Sequence, residues 1–236
     1  LVLLADAAEV LHRRVARHLA PGEKLPEGAV NPEGVAIPFM HHLDLSLPYL
    51  IMVDQDGRRF CDESGAYMEI GQRLYARHEQ TGRGIPAWVI LDSRHRDNYP
   101  WGTAQPGKTP QSWLDSGYMK RADTLEALAK ECGIDWNGLK AEVEKFNGYC
   151  RQGKDPEFNR GGRAFDRAHG DPTVTPNPNL GPIEQGPFYA VAMYPGDVGT
   201  AGGVLTDEHA RVLREDVARW GDVVRWSLNA MIIAEE

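Results

Sequence analysis

Hydrophobic residues recur in this chain at two spacings, one typical of helices and one typical of strands. The helical spacing predicts an opening helix through Leu4, Ala8, Leu11 and Val15, and further helices at residues 67–78, 123–133 and from 135 onward. Short apolar runs rich in strand formers predict strands at residues 48–53, 85–92, 188–193, 203–206 and 211–213. Because strands come first, then helices, then strands again, the order predicts an α+β fold rather than alternating βαβ units.

Three long stretches lack either spacing and are rich in Gly, Pro and charged residues. Residues 20–38 predict a long loop, residues 93–121 an irregular region, and residues 153–186 an extended, solvated crossing. The last of these, residues 153–186, is expected to be too polar and too broken for a core element.

Composition narrows the class of partner. The 236 residues carry a net charge of −8, which would repel a phosphate backbone, so nucleic acid is not expected as a partner. The three cysteines are far apart, which indicates neither a disulfide framework nor a zinc site. The apolar runs are shorter than the roughly 20 residues of a membrane span, and a cytoplasmic location is expected.

A glycine-rich segment is the first candidate for chemistry. Gly199, Thr200, Ala201, Gly202 and Gly203 form a backbone with little side-chain bulk, which a flat ring or a phosphate can approach closely. The same residues also suit an ordinary turn between strands. The sequence has no GxGxxG motif after a strand, so it lacks a dinucleotide-phosphate cradle of that kind.

Two charged clusters have alternative interpretations. His41, His42 and Asp44 suggest metal ligands, but neighbouring strand residues point to opposite faces and no further ligand spacing supports a site, so no metal is expected. The second cluster suggests either an anion site or a solvated charged surface, the latter being favoured; its members are Arg160, Arg163, Asp166, Arg167 and Asp171.

Two long runs resemble a known family. LPYLIMVDQDGRRFCDESGAYMEIG at residues 47–71 and much of residues 122–216, including PGDVGTAGGVLTDEHARVLRED, are similar to the FAD-dependent 3-ketosteroid dehydrogenases. These runs keep the family's order and together cover about half of the chain. The resemblance implies an FAD-dependent oxidoreductase of the fumarate reductase/succinate dehydrogenase flavoprotein superfamily.

The resemblance also implies roles for parts of the chain. Residues 1–186 would form the substrate-side (catalytic or cap) domain, and residues 187–236 part of the FAD-binding domain. Tyr67, by its place after the Arg-Arg-Phe-x-(Asn/Asp)-Glu-Ser motif, would be the base that removes a proton from a steroid ring. The glycine segment Gly199–Gly203 would face the flavin. The substrate would be an apolar, steroid-like small molecule, and the electron acceptor is left open.

The chain departs from the family pattern after Asp216, where VARWGDVVRWSLNAMIIAEE replaces the expected Gly-Leu-Tyr-Ala segment. This departure and the first residue, Leu1, predict an incomplete chain with a frameshifted end. Two other functions stay open. One is a fumarate-reductase-like enzyme acting on a small unsaturated acid, although its histidine before Thr-x-Gly-Gly is Gly199 here. The other is a catalytically inactive ligand-binding domain.

Overall fold

The fold combines helices with antiparallel sheets. The computed structural model describes residues 2–5 and 39–196. Its strands are β1 Val2–Ala5, β2 Phe39–Met40, β3 Leu50–Val53, β4 Ala87–Leu91, β5 Met119–Ala122, β6 Phe188–Met193 and β7 Pro195–Gly196. Its helices are α1 Tyr67–Thr81, α2 Ser93–Asn98, α3 Gln111–Asp115, α4 Leu125–Cys132, α5 Trp136–Gln152 and α6 Ala164–Ala168, with a 3₁₀ turn at Asp44–Ser46.

The larger sheet has four strands in the order β3-β4-β6-β5, and every pairing in it is antiparallel. A smaller sheet joins β2, β1 and β7, also antiparallel. The predicted mixture of helices and strands is therefore confirmed. The assignment of this region to a substrate-side domain stays a prediction.

Both faces of the larger sheet are buried, which explains why β3 is apolar at every position. Side chains alternate along a strand, so Leu50 and Met52 enter one core while Ile51 and Val53 enter the other. The first core lies under α1 and several aromatic residues. The second is closed by α4 and α5, whose buried residues include Leu139, Val143 and Phe146, as the helical spacing predicts. Burying such side chains contributes about 1.5–3 kcal/mol each.

The two helices on the second face begin and end at residues that the sequence marks clearly. Thr124 caps α4 by accepting from the Ala127 N–H at 3.1 Å, so the helix begins two positions after the predicted start at residue 123. Asp135 caps α5 by accepting from the Gly138 N–H at 2.7 Å. Gly133 and Gly153 end the two helices in the left-handed conformation that glycine adopts most readily.

Other predictions about elements were wrong. Residues 2–5 form a strand, paired with β2 and β7, rather than the start of a helix. Residues 93–121 contain two helices and most of the edge strand β5. These elements are short and carry polar residues, so they show no clear hydrophobic period in the sequence. The remainder of the opening helix and the strands at 203–206 and 211–213 lie outside the described residues.

Strand β6 bears on the predicted domain boundary at residue 186. It pairs with both β4 and β5, so it completes a sheet whose other strands precede the boundary. The division into residues 1–186 and 187–236 stays a prediction. Among the described helices, none is both long and apolar enough to cross a bilayer.

Candidate functional site

Tyr67, the predicted base, is the first residue of α1. Ala66 before it is extended and makes no side-chain cap, so the helix N-terminus presents its first side chain to the surface. The Tyr67 side chain is 41% exposed, although tyrosine usually buries most of its ring. A free phenol has a pKa near 10, so a catalytic role requires neighbours that assist its ionisation.

One imidazole ring contacts Tyr67, and a second pair of rings lies on the far side of that imidazole. The His42 ring meets Tyr67 edge to face, with centroids 5.9 Å apart. The His169 ring lies 4.7 Å from the ring of Phe165, and the charge of His169 also acts on His42. We call the surface formed by His42, Tyr67, Phe165 and His169 the Tyr67 face.

The Tyr67 face is apolar as well as accessible. Phe165 is 49% exposed, and the sequence neighbours Leu43 and Met68 are 50% and 44% exposed. With Tyr67 itself, these are the exposed large hydrophobic residues among the described part of the chain. Exposed apolar side chains are common at binding surfaces, so the Tyr67 face is the candidate substrate site.

His42 carries an unusual nitrogen. Its Nδ1 is buried and has no hydrogen-bond partner among the described residues. Burial lowers the pKa of His42 below its usual value, the charge of His169 lowers it further, and the Asp44 carboxylate opposes both. The imidazole is therefore neutral at pH 7 and can accept a proton.

The residues next to His42 belong to a cluster of hydrogen-bonded side chains. Asp44 accepts from His41 Nδ1 at 2.7 Å and from the Gly102 N–H at 2.8 Å. With Nδ1 donating, His41 Nε2 accepts from the Tyr118 hydroxyl at 2.9 Å. Trp101 stacks on the His41 ring at 4.3 Å. His41 and Asp44 thus act structurally, and within residues 41–195 no three His, Cys, Asp or Glu side chains are grouped to hold a metal.

A buried ionic network lies beneath the loop that leads to Tyr67. Glu63 accepts from Arg59 Nε at 2.8 Å and Nη2 at 2.7 Å, and from Arg160 Nη1 at 3.1 Å. Arg59 also donates to Asp155 at 2.9 Å, and all four side chains are fully buried. Burial opposes ionisation of Glu63, but the two guanidinium groups outweigh it and lower its pKa to about 2.

Arg160 joins the two segments that carry the Tyr67 face. Its guanidinium donates to the carbonyls of Leu45, Leu47 and Leu50, at 3.2, 2.9 and 2.9 Å, on the His42 side. It also donates to the Ser64 hydroxyl at 3.2 Å, three residues before Tyr67. One buried cation therefore fixes His42 and Tyr67 relative to each other.

The second charged cluster of the sequence is split by the structure. Arg160 and Asp166 are 1% and 0% exposed, so the interpretation of a solvated surface was wrong for these two. Arg163 is half-exposed and bound to three carboxylates, those of Asp62, Glu69 and Asp166. Its charge is compensated, which leaves it poorly suited to hold a free anion.

The flavin-facing candidates Gly199, Thr200, Ala201, Gly202 and Gly203 lie outside the described residues, so their role stays a prediction. Within the described segments, no strand runs through a glycine-rich turn into a helix, the arrangement that cradles dinucleotide phosphates. Glycines there serve other purposes, such as the close backbone contact between Gly138 and Asp56.

Comparison with known proteins identifies the family. The sequence pattern of the family described as "FAD binding domain" matches residues 26–219. The chain belongs to this FAD-binding family. FAD is thus the cofactor that the family indicates.

The most similar relatives agree with the resemblance to 3-ketosteroid dehydrogenases and confirm it. Over 187 residues the chain is 44% identical to the 3-oxosteroid 1-dehydrogenase of Mycolicibacterium smegmatis, covering 77% of this chain and 33% of that enzyme. It is 37% identical over 179 residues to the 4-oxocyclohex-2-ene-1-carboxylate 5-dehydrogenase of Sinomonas cyclohexanicum, covering 75% and 30%. The chain spans about a third of the length of these relatives.

A solved structure shares the fold. The 3-ketosteroid delta1-dehydrogenase of Sterolibacterium denitrificans, in complex with 1,4-androstadiene-3,17-dione, superposes with a TM-score of 0.73 at 44% identity. The match covers 79% of this chain and 34% of that one.

Sequence reasoning found Tyr67 but missed its neighbours. His42 was considered only as a metal ligand, and Phe165 and His169 were assigned to an extended crossing. Their spacing of four residues around α6 was the one local signal that both rings share a face.

Proposed function

We propose that the chain is the substrate-side part of an FAD-dependent dehydrogenase that desaturates the carbon–carbon bond next to the ketone of a 3-oxosteroid. Tyr67 is the base that removes the proton. The observation that carries the proposal is the exposed Tyr67 on an apolar face, in a chain 44% identical to a 3-oxosteroid 1-dehydrogenase.

The reaction breaks two C–H bonds on neighbouring carbons, one giving a proton and the other a hydride. When bound, FAD supplies the hydride acceptor. Tyr67 takes the proton from the carbon next to the ketone, and the electron pair of that C–H bond forms the new double bond as the hydride leaves the neighbouring carbon. The apolar side chains of the Tyr67 face bind the hydrocarbon rings and exclude water.

The charge on the face favours a neutral substrate over an acid. Arg163, the N-cap residue of α6, is already bound to three carboxylates. His42 is neutral at pH 7 because burial lowers its pKa. A substrate carboxylate would therefore meet little positive charge from these residues, whereas steroid rings match the exposed apolar side chains.

A second candidate substrate is a small cyclic oxo acid. The relative from Sinomonas cyclohexanicum, 37% identical, is named for 4-oxocyclohex-2-ene-1-carboxylate, which shares a ring ketone with a 3-oxosteroid. The same base and the same division into proton and hydride would serve it. It differs from the steroid in its size and its carboxylate.

The test compares the two substrates on the FAD-loaded protein with a redox dye as electron acceptor. Desaturation of a 3-oxosteroid with a kcat/KM at least tenfold above that for the cyclic oxo acid supports the steroid proposal. The reverse order overturns it in favour of the oxo acid. Steroid binding without dye reduction overturns the enzymatic proposal and supports an inactive ligand-binding domain.

A further inference from the structure

His42 is the titratable side chain whose ring contacts the ring of Tyr67. The ring centroids are 5.9 Å apart at an interplanar angle of 73°, an edge-to-face contact. Its Nδ1 is buried without a hydrogen-bond partner among the described residues. An unpaired buried nitrogen is costly for stability, and a bound water or a proton-transfer partner would satisfy it.

The contact is fixed from both sides. On the side of His42, Arg160 binds the carbonyls of Leu45 and Leu47, and on the side of Tyr67 it binds Ser64 and Glu63. Its guanidinium is fully buried, so these bonds are shielded from water. The two rings therefore meet in a position that the core determines rather than in a mobile surface contact.

Charges around His42 keep it ready to accept a proton. Asp44 faces it from the 3₁₀ turn and favours the imidazolium, while His169 at the end of α6 disfavours it. Tyr67 on α1 completes the ionisable groups in contact with its ring. The Asp44 carboxylate also accepts hydrogen bonds from His41 and from the Gly102 N–H, which weakens its stabilisation of the His42 imidazolium.

We infer that His42 is the proton acceptor of Tyr67, and this inference rests on the function proposed above. As the proton leaves the substrate carbon and forms a new O–H bond with the Tyr67 oxygen, the original Tyr67 O–H bond breaks and its proton passes to an imidazole nitrogen of His42, directly or through one water. The half-exposed imidazolium returns its proton to solvent, so His42 and Tyr67 end in their starting forms.

The relay explains how a phenol works as a base near neutral pH. Without help, a phenol with its ordinary pKa near 10 is ionised in about one molecule per thousand at pH 7. A neighbouring imidazole assists because it takes up the phenol proton while the substrate proton arrives, so that free phenolate need not accumulate. General-base assistance of this type contributes about 10²- to 10⁴-fold in rate.

The test is chemical rescue in the FAD-loaded protein. His42→Ala is expected to lower kcat/KM for the ketone substrate by about 100-fold. Added imidazole is expected to restore at least a tenth of the activity, in proportion to its neutral form, so the acid limb of the pH profile follows the pKa of the added base. In the double variant with Tyr67→Phe, imidazole is expected to restore nothing, because the group it serves is missing.

Several results overturn the relay. The first is a His42→Ala variant with the parent kcat/KM. The second is a His42→Ala variant that has the parent circular dichroism spectrum but whose lost activity imidazole does not restore. The third is rescue by imidazole in the double variant that lacks the Tyr67 hydroxyl. His42→Gln gives a second variant without a basic ring, and unchanged acid-side activity in it also contradicts the relay. Failure of the proposed function is distinct, since the parent protein would then desaturate neither ketone substrate.

Discussion

Replacing Glu63 by Gln tests the ionic network that supports the Tyr67 loop. The substitution keeps the shape of the side chain but removes the charge between two buried guanidinium groups. Glu63 accepts from Arg59 at 2.8 and 2.7 Å, from Arg160 at 3.1 Å and from the Met52 N–H at 3.0 Å. The variant leaves Arg160 without a carboxylate and places an amide N–H₂ against a cation.

The magnitude follows from two independent estimates. The pKa of Glu63 falls from 4.5 to about 2, and each unit corresponds to about 1.4 kcal/mol, so its ionised form stabilises the fold by about 3 kcal/mol. Removing one member of a buried ion pair costs about 3–5 kcal/mol in other proteins. We therefore expect Glu63→Gln to lower the free energy of unfolding by about 3–5 kcal/mol.

Urea unfolding followed by circular dichroism measures this loss. The matched control is Glu184→Gln, because Glu184 pairs with Arg151 at 2.8 Å on the surface, where the side chains are 44% and 67% exposed. An exposed pair is worth less than about 1 kcal/mol. Equal losses in the two variants would contradict the claim that the buried network stabilises this region.

The network also has a pH signature. Since folding lowers the pKa of Glu63, its contribution is fully present above pH 4.5 and is lost as the pH falls toward about 2. The parent should therefore lose stability more steeply than Glu63→Gln across that range. Parallel curves for the two proteins would mean that Glu63 is not ionised in the folded state.

Two further predictions concern glycine packing in α5 and the reactivity of the buried thiols. In α5, Gly138→Ala should destabilise the fold, because the new Cβ would clash with the Asp56 carbonyl oxygen. Gly148→Ala meets open space and should stabilise the fold by up to about 1 kcal/mol. Urea unfolding should give opposite signs for the two variants, and a shared sign contradicts the prediction. Burial raises the pKa of the three thiols, those of Cys61, Cys132 and Cys150, to about 12 for the last two. Alkylation of the folded protein at mildly alkaline pH should therefore be slow until urea is added. Fast labelling of the folded protein would refute this prediction.

Local patterns predicted the parts of the fold that depend on near neighbours. The buried stripe of Leu139, Val143 and Phe146 follows directly from helical spacing, and the helix ends follow from Gly133 and Gly153. Edge strand β5 was missed because it buries little and carries Lys and Arg.

The supporting chemistry of the site depends on distant pairs. Arg160 and Glu63 are 97 positions apart in the sequence, and no local period links them. A Gly- and Pro-rich stretch around Arg160 predicts a solvated loop, whereas its bonds to carbonyls of the β3 segment bury it. Tyr67 was found through its motif, but the motif does not reveal that His42 lies against its ring.

The most direct test of the central claim is the activity of Tyr67→Phe in the FAD-loaded protein, with Tyr149→Phe on α5 as a control. We expect Tyr67→Phe to lower kcat for the 3-oxosteroid by about 10²- to 10⁴-fold while steroid binding, measured by equilibrium titration, changes less than threefold. Tyr149→Phe should keep the parent rate. A Tyr67→Phe variant that desaturates the steroid within threefold of the parent rate would contradict the assignment of Tyr67 as the base.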